Sequence, residues 1–202
     1  GDSWHTDLSF KDRPSLCTLL QAMRLPSQGG DTEFACMTAA YEALPASTKA
    51  RIADLAGIHT INKLRNPRIE ISPLRRGAEK FYADQGARFA DRTHPVVRTH
   101  PATGKKSLYV QPRFTIGIDG MDGDEAQRLL DELFVHQIGP EFVYRNRWQD
   151  GDLLMWDNRC VIHHATGGYT YPDIRTSAEE TFIETFEREG MEPFKDAIYA
   201  GA

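Results

Sequence analysis

Short apolar runs broken by proline, glycine and small polar residues recur along most of this chain. Sustained helical periodicity is confined to a few segments. That rhythm restricts the fold more than any single residue does, because short alternating runs suit half-buried strands while helices need longer amphipathic stretches. After the turn cluster Ser27-Gln28-Gly29-Gly30-Asp31, residues Thr32 to Cys36 form a predicted strand. Pro95 to Thr99 and Ser107 to Val110 are two more, joined by a hairpin loop at Pro101-Ala102-Thr103-Gly104. Phe114, Ile116 and Ile118 alternate with Thr115 and Gly117, the period of a strand with one buried face. Phe142, Tyr144 and Asn146 alternate in the same way, and Leu153 to Trp156 and Cys160 to Ile162 complete the set. The expectation is a mainly β fold with helical insertions, a sandwich or double-sheet barrel.

The inserted helices are fewer. Asp122 to His136 is the clearest: Ala126, Leu129, Leu130, Leu133 and Phe134 share one face, Asp122 is a predicted N-cap, and Gly139-Pro140 ends the segment. Met37 to Leu44 and Ser47 to Leu55 are predicted helices, with Gly57 beyond the end of the second. Residues 62–91 form a charged excursion with one predicted helix, Leu74 to Gln85. Long excursions of this kind often cover functional sites.

The formal charge of −5 narrows the function classes. The whole imbalance falls in residues 176–202, which carry two basic and seven acidic residues, so the remainder is neutral. A chain without clustered Lys and Arg is a poor nucleic-acid binder. No apolar run is long enough to suggest a membrane helix. Cys17, Cys36 and Cys160 are far apart in sequence and form no CxxC pair, which argues against a disulfide framework or structural zinc site. The pattern fits a reducing, cytoplasmic compartment.

His5-Thr6-Asp7 places an imidazole and a carboxylate two residues apart. On an extended strand both point to one face, so one segment can offer two ligands to one metal. Such tripeptides also arise by chance. A third ligand must come from elsewhere. His59, His94, His100 and His136 have ordinary structural readings, His136 as a helix-end residue. His163 ends the short apolar run Cys160-Val161-Ile162, where a sandwich or barrel presents ligands at its mouth. Two histidines and a carboxylate describe the facial triad of non-haem Fe(II) oxygenases, and they also suit zinc.

Five motifs now stand in order: Trp4-His5-Thr6-Asp7, Gly29-Gly30-Asp31-Thr32, Tyr41-Glu42-Ala43-Leu44, the run His94 to Pro101, and Trp156-Asp157-Asn158-Arg159 followed by His163. Together they resemble the taurine/2,4-dichlorophenoxyacetate dioxygenase family of Fe(II)- and 2-oxoglutarate-dependent oxygenases, over residues 4 to about 175. The resemblance implies a double-stranded β-helix (jelly roll). It implies iron held by His5, Asp7 and His163, with 2-oxoglutarate and O2 as cosubstrates and release of succinate and CO2 as a small organic substrate is hydroxylated. His163 is preferred to His164 because it falls six residues after Asp157. Thr32 and Arg175 match the family's Thr and Arg that meet the far carboxylate of 2-oxoglutarate, a group that an Arg fork binds well. No catalytic residue is expected beyond the metal centre. His164, Tyr109, Phe114 and Trp156 are candidate walls of the substrate pocket.

The resemblance fades after Arg175. The family's second Arg is absent at its expected place, although Gly190 to Phe194 resembles the closing turn. An iron ligand at residue 5 also leaves no lead-in strands. Residues 1–202 are therefore expected to form a single oxygenase domain lacking an N-terminal segment, with 176–202 as an acidic C-terminal segment of weaker resemblance. The expected partner is a small-molecule substrate, with homo-oligomerisation left open and no nucleic acid or membrane. A non-catalytic jelly-roll binding domain that retains the metal site and a zinc hydrolase are the competing readings.

Overall fold

The computed structural model describes residues 3–68, 78–168 and 176–183; for 176–183, Lys63, Ala78 and Glu79 it describes the backbone alone. The elements in chain order are β1 (Ser15–Arg24), β2 (Thr32–Cys36), α1 (Met37–Ala43), α2 (Ala46–Ile52), β3 (Ala56–His59), α3 (Ala78–Arg88), β4 (Arg92–Pro95), β5 (Val97–Thr99), β6 (Lys106–Leu108), β7 (Thr115–Ile118), α4 (Gly123–His136), β8 (Val143–Asn146), β9 (Leu153–Asp157), β10 (Val161–Ala165) and β11 (Thr176–Ile183).

All pairings among these strands are antiparallel. One sheet runs β11-β1-β9 and another β10-β2-β8. Side chains alternate across each strand, so each sheet has an inner and an outer face. Leu20 from β1, Phe34 from β2 and Trp156 from β9 meet in one buried cluster, which joins the two sheets. This is the jelly roll with helical insertions that the motif order implies. A larger core lies on the other face of β2 and β10. There Ala35 and Ile162 pack with α1 residues Met37 and Ala40 and with the apolar face of α4.

The α4 face is the one its spacing predicts: Ala126, Leu129, Leu130, Leu133 and Phe134 are buried. Asp122 caps the helix by accepting from the amides of Asp124 and Glu125. The Nε2 of His136 approaches the Ala40 carbonyl at 2.7 Å, so this ring ties α4 to α1 rather than serving only its own helix end.

Three expectations need correction. The second helix stops at Ile52, and Gly57 lies inside β3, which pairs with both β4 and β7. A Cβ on Gly57 would sit 3.2 Å from Val110 and 3.3 Å from His59, so the bare backbone serves close packing rather than helix termination. The run Pro95 to Thr99 divides between two sheets. Pro95 has no N–H to continue a ladder, and Val96 bonds to Leu55 on one side and Tyr109 on the other. In β7 the alternation breaks, because the register shifts at His59 and turns Thr115 inward to accept from the Gln111 amide at 3.0 Å. The helix expected over Leu74 to Gln85 is seen as Ala78–Arg88, its first part lying outside the described residues.

Candidate metal centre

β10 and the segment before β1 are zipped together at their ligand residues. His5 N–H donates to the His163 carbonyl at 3.0 Å, and His163 N–H donates back at 2.7 Å. This exchanged pair is an isolated antiparallel bridge, and it sets the two rings 4.2 Å apart between centroids. His163 faces inward because its neighbour Phe34 does, in register across β2. Asp7 closes the group. Its Oδ1 lies 3.7 Å from His5 Nε2 and 3.9 Å from His163 Nε2. One ligand atom from each residue falls within 4.8 Å of the others.

The donor set fits a divalent first-row metal. His5 Nδ1 meets the Ser3 carbonyl at 2.8 Å, so that nitrogen carries the proton and Nε2 presents its lone pair to the centre. Burial holds the His5 imidazole well below its usual range, helped by His163 and Arg113. Burial pushes the Asp7 carboxyl up, against the pull of the Thr18 hydrogen bond and Arg113. A neutral His5 imidazole and an ionised Asp7 carboxylate are the ligand forms that a bound cation would favour.

Thr18, which sequence reasoning did not single out, and residues of the quoted motifs to which it gave no role hold this group in place. Thr18 donates to Asp7 Oδ2 at 2.6 Å, and Thr18 in turn accepts from Asn158 Nδ2 at 2.8 Å. Asn158 Oδ1 accepts from the Thr6 hydroxyl at 3.1 Å, the Asp7 amide at 3.2 Å and the Trp156 indole at 3.2 Å. Three donors around one oxygen fix which way the amide points. One buried amide therefore touches the main chain of one ligand and, through Thr18, its side chain. Asp157 and Arg159, on either side of Asn158, form a fork-to-carboxylate pair, with Nη2 to Oδ2 at 2.7 Å. His100 Nε2 adds a contact to Asp157 at 2.9 Å. Burial alone would raise the Asp157 carboxyl, but Arg159 and His100 outweigh it and hold it down.

His100, Asp157 and Cys160 also lie close enough to share an ion. Their partners argue otherwise. His100 Nδ1 accepts from the amides of Ala102 and Thr103, Asp157 is clasped by Arg159, and burial pushes the Cys160 thiol up to about 11. The group is a clasp for the turn that carries Asn158.

Of the expected cosubstrate residues, Thr32 is buried, and its hydroxyl accepts from Trp148 Nε1 at 3.0 Å. Arg175 and the run Gly190 to Phe194 lie outside the described residues. Ahead of Thr32, Gly29 crosses Gly167 and Gly168, with Gly30 N–H donating to the Gly167 carbonyl. A Cβ on Gly29 would come within 2.6 Å of the Gly168 oxygen, and its φ of +73° favours glycine as well.

The four expected pocket residues separate. Trp156 lies against His163 at 4.7 Å, and Phe114 meets His5 edge-on at 6.0 Å. Tyr109 packs instead with His59, His94 and the Arg98 guanidinium. His164 faces the other way from His163, as neighbours on a strand must. It stacks on Trp4 and sits 3.8 Å from Glu33.

The description "Taurine catabolism dioxygenase TauD, TfdA family" belongs to a family profile that matches residues 1–178. The chain belongs to the TauD/TfdA family. It is 38% identical over 160 residues to the alpha-ketoglutarate-dependent 2,4-dichlorophenoxyacetate dioxygenase of Cupriavidus pinatubonensis, a match covering 79% of this chain and 53% of that protein. It is 34% identical over 172 residues to an alkylsulfatase of Acinetobacter baylyi, covering 84% of this chain and 53% of that one. The structure superposes on AAD-2 in complex with Mn(II) and N-oxalylglycine with a TM-score of 0.77 and 35% identity, over 89% of this chain and 67% of that one. This TauD/TfdA chain spans about half the length of the curated relatives it matches. Among the described residues no helix is long and apolar enough to cross a membrane.

Proposed function

We propose that this chain carries the metal centre of a 2-oxoglutarate-dependent non-haem iron dioxygenase that hydroxylates a small organic substrate. The observation that carries the reading is the convergence of His5, Asp7 and His163, in a member of a family whose relatives include alpha-ketoglutarate-dependent dioxygenases. A solved relative that holds Mn(II) with N-oxalylglycine supports a metal next to a small acid cosubstrate.

In this reading His5 Nε2, His163 Nε2 and an Asp7 oxygen would hold Fe(II). Bound iron would supply the oxidising chemistry that couples O2 and 2-oxoglutarate to substrate hydroxylation, with succinate and CO2 released. The chain's part is to place and to exclude. Asn158 and Thr18 fix the Asp7 carboxylate. Trp156, Phe34 and Phe114 crowd the two imidazoles and keep water from them. Thr32, beside Trp148, and Arg175 are assigned to the far carboxylate of 2-oxoglutarate on the family's pattern.

Anaerobic addition of Fe(II) and 2-oxoglutarate tests this. The expected result is a weak visible charge-transfer band, followed by succinate when air is admitted. Absence of both would overturn the reading. His5→Ala and His163→Ala should each abolish the band, and Arg175→Ala should raise the 2-oxoglutarate requirement.

A further inference from the structure

Thr18 and Asn158 hold the Asp7 carboxylate, but a second buried network holds the turns around the metal centre. It uses three polar residues to which the oxygenase reading gives no role. Ser9 and His59 are 0% exposed, and Gln111 is 1% exposed. Burying polar side chains is costly unless they find hydrogen-bond partners. Gln111 Nε2 donates to the Ser9 hydroxyl at 2.8 Å, and that hydroxyl lies 3.1 Å from His59 Nδ1. Gln111 Oε1 accepts from the Phe114 N–H at 3.2 Å, and this main-chain donor decides which way the amide points.

The two ends of the Gln111 amide thus grip two different turns. Residues 7–13 and 109–114 lie outside the strands, so no strand ladder sets their separation. The first turn begins at Asp7. Leu8 has a φ of +54°, the one positive value among described non-glycine residues, so the chain turns sharply between the ligand and Ser9. A bulky side chain keeps that conformation only where its surroundings impose it. Ser9, tied to Gln111 and His59, is the anchor one residue later. The second turn carries Phe114, whose ring meets His5 edge-on at 6.0 Å. Asn66 braces this turn as well, its Nδ2 donating to the Pro112 and Arg113 carbonyls at 2.9 Å each.

One amide therefore connects the turn after one metal ligand with the ring that packs on another. Apolar side chains of the same volume would fill the space, but they would not fix direction as hydrogen bonds do.

We propose that Gln111 is a positioning residue for the metal centre. Through Ser9 and Phe114 it sets the Asp7 turn and the ring against His5 relative to each other, so that the two ligands converge. The metal's role rests on the oxygenase reading; the network rests on its own hydrogen bonds.

The test is calorimetric titration of the full chain with Mn(II), together with NMR of the His5 ring in the metal-free protein. Gln111→Met keeps the length of the side chain and removes both polar ends. Ser9→Ala removes the hydroxyl alone. Each should weaken Mn(II) binding by about tenfold, the lower range for a residue that orients a ligand. The double variant should bind within about twofold of the weaker single, because losses within one device do not multiply. Leu130→Ala, in the α4 core, destabilises the fold at a distance and should keep wild-type affinity. In the metal-free protein the His5 ring signals should shift in Gln111→Met and stay in place in Leu130→Ala. Should Gln111→Met fail to fold, Ser9→Ala against Leu130→Ala carries both measurements. The proposal is overturned by wild-type affinity in either single variant, by losses that multiply in the double, by an equal loss in Leu130→Ala, or by unmoved His5 signals. A wild-type chain that takes no Mn(II) counts against the oxygenase reading instead, and the His5 signals, read without metal, still decide the network.

Discussion

Asp7 has two oxygens with different duties. Oδ1 faces both imidazoles, while Oδ2 receives the Thr18 hydroxyl. Thr18→Val keeps the shape and removes that donor, so the carboxylate can rotate. Metal affinity should fall by about 10–100-fold, with the fold intact by circular dichroism. Asn158→Ala should cost more in stability, because it strips partners from Thr18, Trp156 and the Asp7 amide at once, while Thr6 keeps its bond to the backbone carbonyl of residue 158. Unchanged metal affinity in both variants would remove this network from the site. His59 gives a pH prediction of its own. Burial, with His94 adding to it, lowers its pKa to about 3, against about 6.5 for a free imidazole. Between those values the unfolded chain binds the extra proton, so stability is full above pH 6.5 and falls as pH drops through the window. The slope from this residue is at most about 1.4 kcal/mol per pH unit. Urea titrations between pH 6 and 4 should show a shallower slope for His59→Gln than for the wild type. His-x-Asp is visible in sequence because its members are two apart. Asn158 is visible only as part of a motif and Thr18 not at all; their roles escape the sequence because their bonds span 11 and 140 residues and depend on which strand faces which.

At the level of elements, local signals predicted what local physics decides. The apolar stripe and cap of α4 survive intact because no tertiary contact competes with them. Asp122→Ala should cost about 1 kcal/mol in chemical denaturation, the usual value of an N-cap. Leu130→Ala, at a fully buried position, should cost about 2–5 kcal/mol. β3 escaped notice because Ala-Gly-Ile-His has neither strand composition nor period. Its strand state comes from the partners on both sides, which sequence spacing does not reveal. The split between β4 and β5 is likewise a tertiary event, made where one chain leaves one sheet for another. Gly29 is a third case. Gly29→Ala combines a backbone clash with an unfavourable φ, and it should lower the melting temperature and loosen the start of β2, where Thr32 sits. A melting temperature equal to wild type would show that the glycine crossing can yield.

Across the whole molecule, a bound metal would join positions 5, 7 and 163, so its affinity is also folding energy. At a free concentration near 100 times Kd, Mn(II) or Fe(II) should add about 2.7 kcal/mol to unfolding stability, and a chelator should return it. Scanning calorimetry with and without Mn(II) reads this directly; a transition unmoved by metal would separate His5 and His163 from any ion. The family profile ends at residue 178 and the neutral charge at 175, whereas the sheet continues through β11 to Ile183.

The reciprocal amide bonds between His5 and His163 carry one more consequence, in the time dimension of synthesis. During translation at about 5–20 residues per second, the leading strand leaves the ribosome on the order of ten seconds before its pairing partner exists. For that interval its edge is open and its imidazole and carboxylate have no third ligand. A metal held by His5, Asp7 and His163 would find its full ligand set only once His163 has emerged, late in the synthesis of the described chain.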